Sequence, residues 1–476
     1  MAATLTTRRS PVSRHVLAII LLVVLPACSS QGTRPSSPAN VPLPSHEIIA
    51  GLLQNGQQAL AQGHYERAIG LFRRVKIGYP QAPERPEAML LLAQTFEKIG
   101  EILQALIEYR VLVAEFHQAP QATVARIKIP ELERQVPIVR PAQDSRIIGV
   151  LVGSDALAGL DDRELGRLRQ AGTNTLFVNV ARNRAVPFIV GGGPAKGAPP
   201  TPTETGVYFK TDWAPVIQDT LSMVVDRAHR HGMQVWATFS IRRMDWIDPK
   251  LEWADGTFNS QTGRLERTET LDLLHPALRD YLVGLLTDLA GAGIDGLFLA
   301  ADPPSEAQEG FSAHALRKFE KDMGQPMDPS RILATPGPAR SLGYAPEFWR
   351  WLGWKQREQS KSVLGVLEAV RATFPGLKTA VEVHSEAVTN PQAALARYAE
   401  DLFDLRRHRL DYIAVSIMSV HGAPVAKAAE IVRGERLLLV MDPADQSGGT
   451  LATLPGGVGV LYKEKAMPSR LTNPGR

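Results

Sequence analysis

The chain has a single cysteine among its 476 residues, Cys28, so no disulfide can form within it. Aromatic residues are sparse, 6% of the total, which confines any aromatic binding platform to a few positions such as Trp213, Trp246 and Trp253. Neither sign of charge dominates: 53 Lys and Arg against 49 Asp and Glu give a formal +4. Three of the arginines, Arg8, Arg9 and Arg14, lie in a leader without acidic residues, and the chain from Cys28 onward carries only +1. No basic run interleaved with aromatics occurs, so the footprint of a nucleic-acid binder is missing. No glycine-rich dinucleotide fingerprint follows the first strand pattern (GVLVGSDALAG). The stretch GGGPAKGAPPTPTETG, Gly191 to Gly206, lacks the ending of a phosphate loop and reads as a flexible insert. His229, Arg230 and His231 close a helical pattern, where positive charge favours the dipole, and no metal triad accompanies them. Neither a metal nor a cofactor is expected.

Long apolar runs are also missing, with one exception. Val16 to Leu25 is apolar, follows the three leader arginines and ends at Leu25-Pro26-Ala27-Cys28. It is too short to span a bilayer and fits the core of a secretory signal. Small residues before a lone cysteine look like a bacterial lipobox, in which Cys28 is acylated and becomes the new N-terminus. The other reading is a plain signal peptide with an incidental cysteine. The lipoprotein reading makes residues 1–27 the signal peptide and Cys28 the lipidation site. Ser29 rather than Asp follows the cysteine, which implies the outer membrane, with the chain lipid-anchored on its periplasmic face. Residues 28–45, rich in Ser and Pro, read as an extended tether.

From 46 to 137 the pattern is helical and repeats. Gly63 and Gly100, Ala68 and Ala105, and Phe72 and Tyr109 are each separated by 37 residues, and the units end near Tyr79-Pro80 and Phe116 to Pro120. The arrangement resembles tetratricopeptide helix pairs, with small residues at the crossing and proline at the end. Such repeats offer a surface to a partner protein or polymer; a spacer is the alternative. Two repeats are few for a free-standing array, so further contacts from flanking helices or the next domain are expected.

After Pro141 the grammar becomes alternation of strand and helix. Strands are predicted at Ile147–Val152, Thr175–Val180, Gln234–Phe239, Ile294–Leu299, Lys378–Val383, Tyr412–Ile417, Arg436–Met441 and Val458–Tyr462. Helical patterns at Asp161–Ala171, Val216–His231, Pro276–Ala292, Phe348–Thr373, Pro391–Leu405 and Val425–Val432 lie between most of them. Eight such units over residues 142–476 predict an α/β fold, a (β/α)8 TIM-like barrel behind an N-terminal all-α helical repeat domain. An open doubly wound sheet is the alternative. The segment between Asp442 and Tyr462 is short and Gly-rich, so irregular closure is expected there.

In such barrels the chemistry sits at the C-terminal ends of the strands. The run IDGLFLAAD, Ile294 to Asp302, is a strand with one carboxylate just past its end. The other acids predicted near this rim are Asp155, Asp245, Glu382 and Asp442. Trp246 is a candidate sugar platform, whereas Trp236 and Phe239 read as core. His384 and His421 follow the fifth and sixth strands and could bond hydroxyls. Each acid could equally be a helix cap or a solvated loop charge.

Several runs together resemble the C-terminal, glycoside hydrolase-like domain of the PgaB family of poly-β-1,6-N-acetylglucosamine N-deacetylases. They are GVYFKTDWAPV, HGMQVWA, LHPALRDYLVGLLTDLAGAGIDGLFLAAD, GLKTAVEVHSEAVTNPQAALARYAEDL and LDYIAVSIMSV, spanning about 146 to 425. The resemblance implies a barrel that binds, and in active members cleaves, partially deacetylated glucosamine polymer. It carries over Asp302 alone; Glu382 and Asp155, from their places at the strand ends, are the other candidate catalytic carboxyls. Trp246, Asp212, Lys210, His384, His421 and Asp442 form the candidate substrate-binding set. The departures from the family are specific. Its FHDD motif is Leu299-Ala300-Ala301-Asp302 here, and only the second Asp survives. Its acidic first-strand motif is replaced by GVLVGSDALAG, and its Arg-Asn pair at the fifth strand end is Val381-Glu382. Helical repeats stand where the family has its deacetylase domain, so deacetylation is not expected.

Two readings follow. One is a glycoside hydrolase using Asp302 with Glu382 or Asp155. The other is an inactive polysaccharide-binding or envelope scaffold protein, since losing one of two cooperating carboxyls removes most of the rate. In either, the helical repeats engage an export or assembly partner.

Overall fold

The computed structural model describes residues 45–135, 146–184, 204–248, 252–301, 309–333, 346–417, 423–441, 454 and 457–463. Cys28, the leader and nearly all of the tether lie outside the described residues, as do Asp302, His421 and Asp442.

Five helices open the described chain: α1 (Ser45–Ala61), α2 (Tyr65–Gly78), α3 (Arg85–Lys98), α4 (Ile102–Glu115) and α5 (Pro120–Gln135). The 37-residue echo in the sequence falls on equivalent places. Gly63 and Gly100 both take positive φ, 77° and 81°, in the turns that end α1 and α3. A side chain there would meet the left-handed penalty that glycine escapes. Ala68 and Phe72 on α2 and Ala105 and Tyr109 on α4 are all fully buried. Gly56 shows why small residues are needed: a Cβ there would collide with the Phe72 ring. Helix α5 closes the stack by packing on α3 and α4.

The rest of the described chain alternates strands and helices. β1 (Ile148–Val152) is followed by α6 (Asp162–Gln170), β2 (Thr175–Asn179), the short pair β3 (Ala181–Arg182) and β4 (Gly206–Val207), and α7 (Leu221–Arg230). β5 (Gln234–Phe239) leads into a ribbon, β6 (Ala254–Asn259) and β7 (Arg264–Leu271), and then α8 (Pro276–Gly291). β8 (Gly296–Leu299), α9 (Ala313–Met323), α10 (Pro329–Ile332) and the long α11 (Pro346–Thr373) come next. The last part holds β9 (Lys378–Val383), α12 (Glu386–Thr389), α13 (Pro391–Tyr398), α14 (Leu402–Leu405), β10 (Tyr412–Ile417), α15 (Ala423–Val432), β11 (Leu437–Met441) and β12 (Gly459–Lys463).

Eight of these strands form a closed parallel barrel in the order β1-β12-β11-β10-β9-β8-β5-β2. Closure at the last unit is regular in its pairing, with Ile148 opposite Val460 and Leu151 opposite Lys463. The fold is therefore the (β/α)8 barrel behind a helical front end, with the open sheet excluded. All eight predicted strands are present, three of them with the predicted bounds unchanged. The ribbon β6–β7 has no counterpart among the predicted elements. Its outer face is polar, and the four charges Arg264, Glu266, Arg267 and Glu269 hide the pattern of a hairpin. The predicted helix Pro391–Leu405 is broken at Ala399, which takes a φ of 54° between α13 and α14.

One local device recurs at the N-terminal edge. A residue just ahead of a strand pairs its N–H with the carbonyl of the neighbouring strand and accepts that residue's N–H on its side chain. Asn174 does this to Ile148, Asp295 to Val235 and Asp411 to Thr379. Asp295 is further bound by His229 Nε2 at 2.7 Å. His229 is thus a buried partner of the next βα unit, which corrects the expectation that it serves the helix dipole. The pairing crosses 66 residues and leaves no local trace.

The front end and the barrel share one interface. Helix α4 packs on α8 and α11, and a Cβ at Gly291 of α8 would strike Ile107 of α4. Lys76 on α2 donates to Glu108 on α4 at 2.7 Å, both buried. Burial works to lower the Lys76 pKa, but Glu108 and then Asp288 outweigh it and hold the ammonium above its ordinary value. Asp288 on α8 accepts from Thr211 Oγ1, and burial pushes its carboxyl up to about 7.

Truncating one partner of a buried pair leaves the other charge uncompensated, so Lys76→Ala is expected to cost about 3–5 kcal/mol in a denaturant melt. Asp288 has a folded pKa above its unfolded value, so its stabilisation is full below about pH 4 and is lost as pH rises through about 7. Between pH 5 and pH 8, Asp288→Asn is therefore expected to lose less stability than the wild type, by roughly 2–3 kcal/mol; Tm against pH measures it.

Candidate active site at the barrel mouth

The barrel interior is filled by Phe177, Trp236, Phe298, Ala380, Ala414, Leu438, Val440 and Leu461. Side chains two residues apart on a strand share a face. Glu382 follows Ala380 and Ser416 follows Ala414, so both stand one layer nearer the C-terminal mouth. The apolar fill ends there. Glu382 Oε1 accepts from Ser416 Oγ at 2.5 Å, and Oε2 accepts from the Ala301 N–H at 2.9 Å. Both oxygens of a carboxylate pulled partly out of water are thereby hydrogen-bonded, as burial demands.

His384 comes next on the same strand exit. Glu400 holds it twice, accepting from its backbone N–H at 2.9 Å and pairing with Nδ1 at 2.8 Å. The Tyr398 ring stacks on the imidazole, centroids 3.8 Å apart and planes 8° from parallel. Burial alone would lower the His384 pKa; the hydrogen bond and charge of Glu400, with Glu382 and Glu386 behind, raise it. Burial raises Glu400 in turn, against the His384 contacts that lower it. The α13–α14 break that the sequence did not predict is what turns Glu400 back toward β9.

Glu382, His384 and Glu400 line one cavity of about 110 Å³. Its walls include Leu299 at the end of β8, Ala300 and Ala301 just beyond it, and Ser360 and Leu364 of α11. Ile241 and Arg242 after β5 close another side. Arg242 pairs with Asp255 of the ribbon at 3.1 Å, both charges buried. Lys355 of α11 is buried beside them and donates to the Glu309 carbonyl at 3.1 Å; burial pushes its pKa down. Asp272, at the end of the ribbon, accepts from Ser312 Oγ at 2.5 Å, and burial together with the charge of Asp255 pushes it up to about 6.

The remaining candidates are placed elsewhere. Lys210 pairs with Glu101 of the turn before α4 at 3.2 Å and lies over the Phe96 ring. Asp212 pairs with Arg73 of α2 at 2.6 Å. Lys210 and Asp212 are occupied with the helical front end, and neither residue lines the cavity. Asp155 sits in the 3-10 turn Ser154–Gly159, largely exposed and ion-paired with Arg182. Trp246 donates Nε1 to Tyr281 of α8 at 2.9 Å, which joins it to Trp213 and Trp253 in an aromatic row. Asp245 accepts from the Arg184 N–H at 2.7 Å and ties the loop after β5 to the segment after β3. Of the predicted residues, the structure brings Glu382 and His384 together. Glu400, Arg242 and Asp255 were missed, because their partners are supplied by distant segments. Among the described residues no cluster of three His, Cys, Asp or Glu could hold a metal ion.

The raised His384 pKa gives the next expectation. Its imidazole should titrate above an ordinary histidine by NMR, and Glu400→Gln should bring it down, since the paired carboxylate is the leading stabiliser of the charge.

No family model matches the sequence, and no curated protein matches it. Solved structures match in shape. The glycoside hydrolase domain of PgaB (BpsB) from Bordetella bronchiseptica is 20% identical over 67% of this chain and 93% of that one, with a TM-score of 0.49. A cold-adapted β-galactosidase from Rahnella sp. R3 is 12% identical over 68% and 51%, TM-score 0.42. A family 20 β-N-acetylglucosaminidase is 12% identical over 64% and 53%, TM-score 0.30. The fold assignment stands on the strand order of the barrel itself.

Proposed function

We propose that this chain is an envelope lipoprotein whose glycoside hydrolase-like barrel binds a β-1,6-glucosamine-type exopolysaccharide at its C-terminal mouth. The observation that carries the reading is the grouping of Glu382, His384 and Glu400 in one cavity beside aliphatic walls. Carboxylates accept hydrogen bonds from hydroxyl and ammonium groups, and aliphatic side chains cover the C–H faces of a sugar ring. Hydrolysis requires two carboxyls flanking the scissile bond. Glu382 supplies one, and the sequence offers Asp302 as the other. Ala300 and Ala301 favour the binding reading without turnover, because they stand where the resemblance has a histidine and an aspartate. Ala301 contributes only its backbone N–H there, to Glu382.

The leader and Cys28 support a lipid anchor in the outer membrane, with the barrel in the periplasm. Val124 and Ile127 on α5 are exposed apolar residues, which supports a helical front end that meets an export or assembly partner.

Glu382→Gln is expected to weaken retention on immobilised, partially deacetylated β-1,6-glucosamine polymer about tenfold, since a hydrogen bond to a charged group contributes about 1.5–3 kcal/mol. Equal retention of wild type and variant would remove the mouth from the binding site. Oligosaccharide release that Asp302→Asn abolishes would make the protein a hydrolase; its absence over a long incubation leaves a binder. Cys28→Ser should free the chain from membranes.

A further inference from the structure

We infer that the cavity between the ribbon β6–β7 and helix α9 is a second saccharide site, which takes an uncharged sugar residue of the polymer held at the barrel mouth. The inference rests on the polysaccharide reading of the mouth and extends it to a separate set of residues.

This cavity measures about 190 Å³, against about 110 Å³ at the mouth. The two lie back to back. Arg242 lines the mouth, and Asp255, its partner at 3.1 Å, lines the ribbon cavity, so one buried ion pair is the partition between them. The ribbon wall is fixed in place. The Gly256 carbonyl accepts from both the Gly310 and Phe311 N–H groups, which ties β6 to the chain entering α9.

The lining selects a neutral ligand. Its exposed charges balance, Glu252 and Glu266 against Arg267 and Arg317, and Asp255 is already paired with Arg242. An ion of either sign gains little from such a field. Two imidazoles, His275 and His314, line the same space with ring centroids 5.1 Å apart. Burial first lowers both pKa values. The next cause is the facing positive group, His314 for His275 and Arg317 for His314. Both rings are therefore uncharged at neutral pH. A neutral imidazole has one donor and one acceptor, which suits a hydroxyl that is itself both. Nδ1 of His275 is enclosed, so Nε2 is the nitrogen through which that ring can bond a ligand. The Trp253 ring lies behind it, centroids 6.4 Å apart. Leu265 of β7 also lines the cavity and is 47% exposed. An open aliphatic side chain beside hydrogen-bonding groups covers the C–H face of a sugar ring.

The test measures the affinity of the full chain for β-1,6-linked N-acetylglucosamine oligosaccharides of increasing length, by calorimetry. Two sites act together only when one ligand spans both, so affinity is expected to step up by about tenfold at one length. His314→Ala is expected to abolish that step. No step in the wild type, or the same step in a folded variant, overturns the second site and leaves the mouth reading standing. Binding of no oligosaccharide by the wild type overturns both. A second readout needs no variant: the His275 and His314 ring resonances of the wild type should move with an oligosaccharide long enough to show the step. If they stay still while those of His384 move, the inference falls even where His314→Ala fails to fold.

Discussion

A closed parallel barrel denies water to every inward-facing side chain except at its open ends, and the site depends on that restriction. Trp236, Phe177 and Phe298 fill the centre, with rings tilted or edge-on at 5.4 to 5.5 Å. Gly296 makes the fit possible, since a Cβ there would enter the indole of Trp236. An ionisable group in that layer would lose its hydration without return. One layer further out, Glu382 is tolerable because Ser416 and Ala301 supply donors to both oxygens. The position of the carboxylate follows from where burial stops being prohibitive.

The same reasoning covers the wall that Arg242 provides. Its charge, Lys355, Asp255 and Asp272 form a buried group that would be unfavourable if any member lacked a partner. The ribbon delivers Asp255, and an aromatic cluster fixes the ribbon: Phe258 on β6 packs with Phe311 and Trp351, whose rings stack 5.1 Å apart at 13°. A minor hairpin with a solvated outer face thus supplies the partner of a buried guanidinium beside the mouth.

The helical front end is joined to the barrel by charge as well as by apolar contact. Lys76 and Glu108 pair out of water, with Asp288 and Thr211 beside them. The loop that holds Lys210 to Trp213 runs from the barrel to this interface. Resemblance to a saccharide-binding family placed Lys210 and Asp212 near substrate. Their salt bridges to Glu101 and Arg73 give them an interface role in this chain.

The sequence by itself determined the alternation of eight apolar strands with helices, the glycine, alanine and aromatic echo of the front end, and Glu382 and His384 at a strand exit. These are periodic or local signals, and burial on two faces writes them into neighbouring residues. Tertiary structure alone decided that His229 serves Asp295, that Glu400 orients His384, and that Arg242 meets Asp255. The first joins two βα units 66 residues apart, and the other two cross 16 and 13 residues of irregular chain that carry no helical or strand period. A hydrogen bond across such a distance constrains two residues and leaves those between them free, so no spacing in the chain records it.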